Sequence, residues 1–333
     1  MILVTGATGL VGSHLIYDLL IGGFQVKALV RETSRRDLIL QTFRYYSSNA
    51  EELFGRIVWA EGDVTDVLSL REAFRDVDKV YHTAAFVSFD PKDKQKVFTV
   101  NTEGTANVVN LCLENSGLKL CFVSSIAALG ETEDGAPVDE KVQWKPTKEA
   151  SVYSISKFKS EMEVWRGVSE GLNAVIVNPS VILGPGDWEK GSGAFFQKAA
   201  NGFPFYTLGT TGFVDVRDVS KAMIQLMESD ISGERFVLSS DNVSYKDIFS
   251  TIAWALDAKA PYIYASSWLS GLAWRLSALK SFLFRTPAQI TSSTVRSAHK
   301  KSHYSSDKVK GVLKFEFIPI EQTIQDIAQY YRR

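Results

Sequence analysis

Cysteine is nearly missing from this chain of 333 residues, which holds only Cys112 and Cys121. Two cysteines cannot form a framework of several disulfides, so a hydrophobic core carries the fold and a reducing, cytoplasmic setting is expected. Both lie in apolar stretches and read as packed thiols. Histidine is also rare, at four copies, and none has cysteine or carboxylate neighbours at metal spacing, so no metal is expected. Surplus charge is lacking as well. With 37 Lys and Arg against 38 Asp and Glu, the net charge of −1 argues against nucleic acid as a partner.

A long apolar run is absent too. A spanning helix needs about 20 uninterrupted apolar residues, and the best stretch, Trp268 to Phe284, is broken by Arg275 and Lys280. No integral membrane span is expected. Trp268, Leu269, Leu272, Leu276, Leu279 and Leu283 recur there at helical spacing. The spacing predicts an amphipathic helix packed inside the protein or across a subunit contact; a membrane-surface or lipid-lid role is the alternative. Residues 1–4 run straight into a glycine-rich turn without a charged leader, and no targeting signal is expected. The last 49 residues, from Arg285, carry nine Lys or Arg and four Asp or Glu, which reads as a solvated basic face.

What is present is alternation. Short apolar runs at Ile2–Thr5, Val26–Val30, Arg56–Ala60, Lys79–His82, Lys119–Ser124 and Ala174–Asn178 are separated by helical patterns near 13–21, 68–76, 97–115 and 151–170. Strands joined by helices of that length imply right-handed crossovers and a doubly wound parallel sheet of the Rossmann type. Near residue 180 the texture changes to glycine-rich loop and shorter elements. Residues 1–180, with returning segments around 210–240, read as the dinucleotide-binding domain. Residues 181–333 read as a smaller, mostly helical substrate lobe rather than another sheet.

Thr5-Gly6-Ala7-Thr8-Gly9-Leu10-Val11-Gly12 follows the first strand and opens the first helix. There Gly6 permits the tight turn, Gly9 lets backbone approach a pyrophosphate, and Gly12 lets helix pack on strand. Thr8, Leu10 and Val11 complete a helix N-terminus whose free N–H groups and dipole favour phosphate. After the second strand, where an NAD site places a carboxylate, this chain has Arg31, with Arg35 and Arg36 beyond it. An arginine there pairs with a 2′-phosphate, so NADP(H) is favoured, with NAD(H) possible. Asp63 and Val64, after the third strand, are placed to meet the adenine; Asp63 is equally suited to cap the next helix.

The strongest chemical signal is Tyr153-Ser154-Ile155-Ser156-Lys157. On a helix the phenol and ammonium share one face, and the cation favours the phenolate. Ser125 ends a strand of the same sheet at its ligand-binding edge. Together they suit carbonyl chemistry: Tyr153 exchanges the proton, Ser125 bonds the substrate oxygen, and Lys157 lowers the tyrosine pKa while holding nicotinamide ribose. His14 and His82 read as packed residues.

At this point the chain resembles the extended short-chain dehydrogenase/reductase superfamily, often labelled NAD-dependent epimerase/dehydratase. The likeness rests on TGATGLVG at 5–12, GDVTD at 62–66, HTAA at 82–85, VNTEGT at 100–105, VSSIAALG at 123–130, YSISK at 153–157, NPSVILGPG at 178–186 and FVDVRDVS at 213–220. It implies that Thr83, Ala84 and Ala85 line the cofactor groove, that Asn101 sits beside the nicotinamide ribose, and that Pro179, Ser180, Val181 and Ile182 pass the carboxamide. It also implies substrate contacts from Phe86, Ser88 and Asn178, and a homodimer through the helix bearing Tyr153.

Departures from the subfamilies narrow the reaction. Dehydratases carry an acid after the catalytic serine or threonine, whereas Ile126 and Ala127 follow Ser125 here. Epimerases place a diphosphate-binding arginine just before the motif matching FVDVRDVS, where this chain has Gly209-Thr210-Thr211-Gly212. Arg31, NPSVILGPG and the aromatic C-terminal half look more like the dihydroflavonol reductase and 3β-hydroxysteroid dehydrogenase side. Phe86, Phe89, Trp188, Phe195, Phe196, Phe203, Phe205 and Tyr206 are candidates for an apolar substrate cavity or for core. The leading expectation is reversible hydride transfer between NADPH and a ketone or aldehyde. A nucleotide-sugar epimerase is the alternative, and a non-catalytic NADP-binding sensor, disfavoured by the intact triad, is the third.

Overall fold

The computed structural model describes residues 1–132, 135–147, 149–284 and 291–332, without the side chains of Pro91 and 278–284. Its strands are β1 (Ile2–Thr5), β2 (Val26–Val30), β3 (Val58–Glu61), β4 (Lys79–His82), β5 (Lys119–Val123), β6 (Asn173–Pro179), β7 (Val181–Leu183), β8 (Phe205–Tyr206), β9 (Thr210–Asp215), β10 (Glu234–Leu238), β11 (Asp241–Ser244) and β12 (Ile263–Tyr264). Seven of them form one parallel sheet in the order β10-β6-β5-β4-β1-β2-β3. β1 and β2 are buried along their whole length, as expected when helices cover both faces of a sheet.

An apolar core fills each face. On one, Leu15 and Leu19 of the helix Leu10–Ile21 meet Ile39, Phe43, Val219 and Met223. On the other, Leu70, Val108, Leu111 and Val164 pack against Leu3, Val80, Leu120 and Ile176 of the sheet. Two strand lysines send their ammonium groups to the carbonyl ends of neighbouring helices: Lys27 Nζ lies 3.2 Å from Ala73 O, and Lys119 Nζ 2.8 Å from Leu226 O. Such placement suits the negative end of a helix dipole.

Strand order reverses between β1 and β4, which creates a crevice at the carboxyl edge of the sheet. At Ser180 the chain leaves this sheet: Ser180 N–H still bonds Leu238 O at 2.9 Å, and the next residue opens β7. β7, β9 and β11 form a three-stranded sheet, and β8 pairs in parallel with β12. The expectation of a lobe without another sheet is therefore corrected, although helices still dominate it. Its core joins Phe196, Ile252 and Ile324, and Arg217 clamps the C-terminal helix Ile320–Tyr331 by reaching both Asp215 and Asp326.

Three local details add to the sequence reading. The helix Asp37–Tyr46, which buries Ile39, Thr42 and Phe43, lies where no element is expected from the sequence. The helix expected near 97–115 runs from Lys94 to Glu114 and contains a π segment at Thr99–Glu103. Of the aromatic residues open to core or cavity, Trp188 packs against Phe196 and Tyr331. In the stripe at 268–283, Leu279 and Leu283 lie outside the described side chains, as does the start of the basic tail at Arg285.

Candidate active site

The glycine turn has the shape a phosphate needs. Gly6 adopts φ +68°, and a Cβ there would lie 2.6 Å from Ala84 N. A Cβ on Gly12 would come within 2.3 Å of Gly6 O, so that position is closed by packing. Gly9 differs: an added Cβ meets only Gly6 O, at 3.2 Å, and one side of the turn stays open. Gly9 is also the N-cap of Leu10–Ile21 and has no side chain to satisfy the first N–H groups. A cradle that a methyl group would fill, beneath free helix donors, fits a dinucleotide pyrophosphate.

Arg31 is exposed at the carboxyl end of β2, its N–H bonded to Ser34 Oγ at 2.9 Å. The other two arginines are engaged: Arg35 bonds Asp37 at 2.8 Å, and Arg36 lies 5.0 Å above the Trp59 ring. Asp63 does not cap the following helix. That cap is Asp66, which accepts from Leu68 N–H, while Asp63 Oδ1 holds Thr65 at 2.9 Å and 2.8 Å. The Val64 side chain is buried in the core and its carbonyl accepts from Asn107 Nδ2 at 2.9 Å.

Beyond β4, Thr83 Oγ1 donates to Thr5 O at 2.7 Å and fixes Ala84 and Ala85 beside the glycine turn. Asn101, buried in the π turn, has its amide fully occupied. Its Oδ1 accepts from Phe86 N–H at 2.7 Å, and its Nδ2 donates to Phe86 O and to Ser156 Oγ. It thus clamps the Phe86 segment to the helix Val152–Ser169. Ser88 Oγ is bonded to Asp93 at 2.6 Å. His82 is buried between Thr5 and Thr105, and burial depresses its pKa to about 3; His14 is likewise pushed to about 4. Both are neutral packing groups. The thiols are also buried, with Cys112 raised to about 12 by desolvation.

Ser125 ends the β5 segment and caps the turn Ile126–Ala128, accepting from Ala127 N–H at 3.1 Å. Tyr153 lies in the first turn of Val152–Ser169; burial raises its phenol pKa, and the Ser125 hydroxyl pulls it the other way. The Phe89 ring stands edge-on to it at 5.7 Å. Lys157 Nζ donates to Val123 O at 2.7 Å, and burial pulls its pKa down to about 8 while Glu161 opposes that shift.

Glu161 does not stand out in the sequence, yet it is the hub behind these groups. It is buried one helical turn beyond Lys157. Its Oε2 accepts from Ser124 Oγ at 2.6 Å and Asn178 Nδ2 at 2.8 Å; its Oε1 accepts from Arg235 at 2.9 Å and Trp165 at 3.2 Å. Asn178 Nδ2 also reaches Ser125 O at 3.1 Å, and its Oδ1 is buried without a partner. Ser180 Oγ is similarly unpartnered. The Tyr-x-x-x-Lys motif extended by four residues to a glutamate was the available signal. Among the described residues, no three His, Cys, Asp or Glu side chains gather as a metal site.

A parallel sheet with a phosphate cradle at its switch point and a Ser-Tyr-Lys cluster on its carboxyl edge defines an NAD(P)-dependent enzyme of the Rossmann type. The chain belongs to the NAD dependent epimerase/dehydratase family, whose model matches residues 2–239. Among its relatives, sterol demethylase protein B of Methylococcus capsulatus is 32% identical over 74% of this chain and 71% of its own length. Cinnamoyl-CoA reductase 1 of Petunia hybrida is 26% identical over 91% and 93%. The solved UDP-glucose 4-epimerase of Thermus thermophilus, in complex with NAD, shares the fold with a TM-score of 0.75 at 21% identity, covering 99% of this chain and 98% of that one.

Proposed function

We propose that this protein is an NADP(H)-dependent reductase that interconverts a ketone or aldehyde with the corresponding alcohol. The observation that carries the reading is the Tyr153 phenol ring standing against the Phe89 ring, with no carboxylate following Ser125. That is a proton donor against an apolar wall, without the base that elimination requires. The similarity to a named cinnamoyl-CoA reductase supports the same class.

In this reading Gly6, Thr8, Gly9, Leu10, Val11 and Gly12 hold the pyrophosphate, Asp63 and Val64 flank adenine, and Thr83, Ala84 and Ala85 line the groove. Arg31 takes the 2′-phosphate. Pro179 to Ile182 border the carboxamide, and Asn101 acts one step back by fixing Phe86. The bound nicotinamide supplies or accepts the hydride. Ser125 donates to the substrate oxygen, Tyr153 delivers its proton there, and Lys157 keeps the developing phenolate charge low in energy. Phe86, Ser88 and Asn178 bound the substrate. Residues 1–180 with the returning strand supply the cofactor half, and 181–333 close over substrate. A homodimer through Val152–Ser169 is supported by Met162, an exposed apolar side chain on that helix.

One observation favours a nucleotide-sugar epimerase instead: Asn178 Oδ1, buried behind Ser125, has no partner within the protein. Thermal shift in the presence of NADP separates the two. Stabilisation by aromatic ketones but not by UDP or GDP is expected; stabilisation by a nucleoside diphosphate alone would overturn the reductase.

A further inference from the structure

The helix Ser267–Phe284 presents its apolar side to solvent. Trp268, Leu272 and Leu276, one turn apart on a single face, are 77%, 42% and 58% exposed. The other face is the packed one. His299 Nε2 lies 2.9 Å from Ser270 Oγ, and Trp274, Arg275, Arg296 and His299 line a cleft between this helix and Ser292–His299. The outward stripe therefore does not contribute to the core.

A second set of exposed apolar side chains lies in the chain just before the helix. Pairing of β8 with β12 sets Phe205 beside Ile263 and Tyr206 beside Tyr264. Phe203 packs on Phe205 at 5.8 Å, and Phe203, Phe205, Tyr262 and Tyr264 are all exposed. Single exposed apolar residues are ordinary, but two exposed groups rich in aromatics that meet within about 15 residues of chain, Tyr262 to Leu276, mark a contact surface.

Charge identifies the partner. Residues 258–306 contain seven basic residues, namely Lys259, Arg275, Lys280, Arg285, Arg296, Lys300 and Lys301, and no Asp or Glu, within a chain whose net charge is −1; Arg296 and Lys300 pair with Glu149 and Glu131, which leaves Lys259, Arg275 and Lys301 as the described cations outside such pairs. Lys259 lies 4.1 Å from the Tyr262 ring and Arg275 5.1 Å from that of Trp274. Cations thus flank the aromatic rings. A two-fold contact with a second copy would set this basic stretch against itself. Trp and Tyr amid Lys and Arg, on a helix with an apolar face, match the interface of an anionic bilayer.

We propose that this face docks the protein on anionic phospholipid membranes, with the helix lying in the headgroup plane. Among the described residues, no helix is long and apolar enough to cross a membrane, consistent with lying on it. The proposal is independent of which reaction the active site performs.

Co-sedimentation of the full chain with vesicles tests it. Binding to phosphatidylglycerol/phosphatidylcholine vesicles and at least about tenfold less to pure phosphatidylcholine is expected. The W268E/L272E/L276E variant should lose that binding at unchanged Tm. K259E/K301E should remove the preference for anionic lipid. Three results would each overturn the proposal: a full chain that stays soluble with both vesicles, lipid binding that survives the stripe variant, or a dimer that the stripe variant turns into monomer.

Discussion

In the seven-stranded half the buried Lys27, Lys119, Lys157 and Glu161 all hold hydrogen-bond partners; in the lobe, beyond residue 200, aromatic and leucine side chains such as Phe203, Trp268, Leu272 and Leu276 lie in water. Glu161 and Arg235 pair at 2.9 Å with little access to solvent, and Lys157, one helical turn before Glu161, is buried and held by Val123 O. Trp268 and Leu276, in contrast, meet no comparable packing. The first arrangement fixes reacting groups, since a buried charge keeps its place only while each partner keeps its own. The second leaves a surface unfinished, which is tolerable only where something else covers it. One half is built for precision and the other for contact.

Substitutions should reproduce this contrast, with large effects in the first region and small ones in the second. Tyr153→Phe is expected to lower kcat/KM for carbonyl reduction by about a thousandfold with NADPH affinity retained, measured by steady-state kinetics and fluorescence titration. Comparable turnover would remove the proton role. Glu161→Gln strips the carboxylate from a buried arginine and is expected to cost about 3 kcal/mol in urea unfolding. A pH profile distinguishes its two roles. Lys157 is charged below about 8, so kcat/KM for reduction should fall as pH rises through about 8. Because Glu161 favours the charged lysine, Glu161→Gln should move that limb to lower pH, and Lys157→Arg should move it up.

Smaller effects follow in the same order. Arg31→Ala should raise the KM for NADPH by about tenfold while leaving NADH nearly unchanged; equal losses for both cofactors would refute a 2′-phosphate contact. Trp268→Glu should alter stability by no more than about 0.5 kcal/mol. A larger loss would show that the stripe packs after all, and would erase the distinction between the two regions.

Legibility in the sequence follows the same division. Strands buried on both faces are continuous apolar runs, so β1, β2 and β4 were readable with nearly correct ends. The glycine turn and the Tyr153–Lys157 pair act through short spacings that a sequence displays directly. Glu161 depends on Asn178 and Arg235, partners that only the parallel pairing of β5, β6 and β10 brings near, and no local spacing reveals them. Likewise the 268–283 pattern announced an amphipathic helix but not which side would face water. The aromatic residues stayed open between core and cavity for a related reason: Trp188 and Phe196 have the same composition signal as Phe89, and only tertiary packing separates core from cleft.

β10 has a consequence for how the molecule comes into being. It covers the outer edge of β6 and brings Arg235 to Glu161, while Glu140 Oε1 takes Val237 N–H on the far side. A nascent chain that has emerged only as far as residue 180 therefore has a bare sheet edge and a Glu161 carboxylate without its arginine. The catalytic pocket cannot set until some sixty more residues have been translated. Truncation between 180 and 234 should then yield an aggregating fragment rather than an isolated cofactor domain, and the polypeptide matures as a unit despite its two unlike halves.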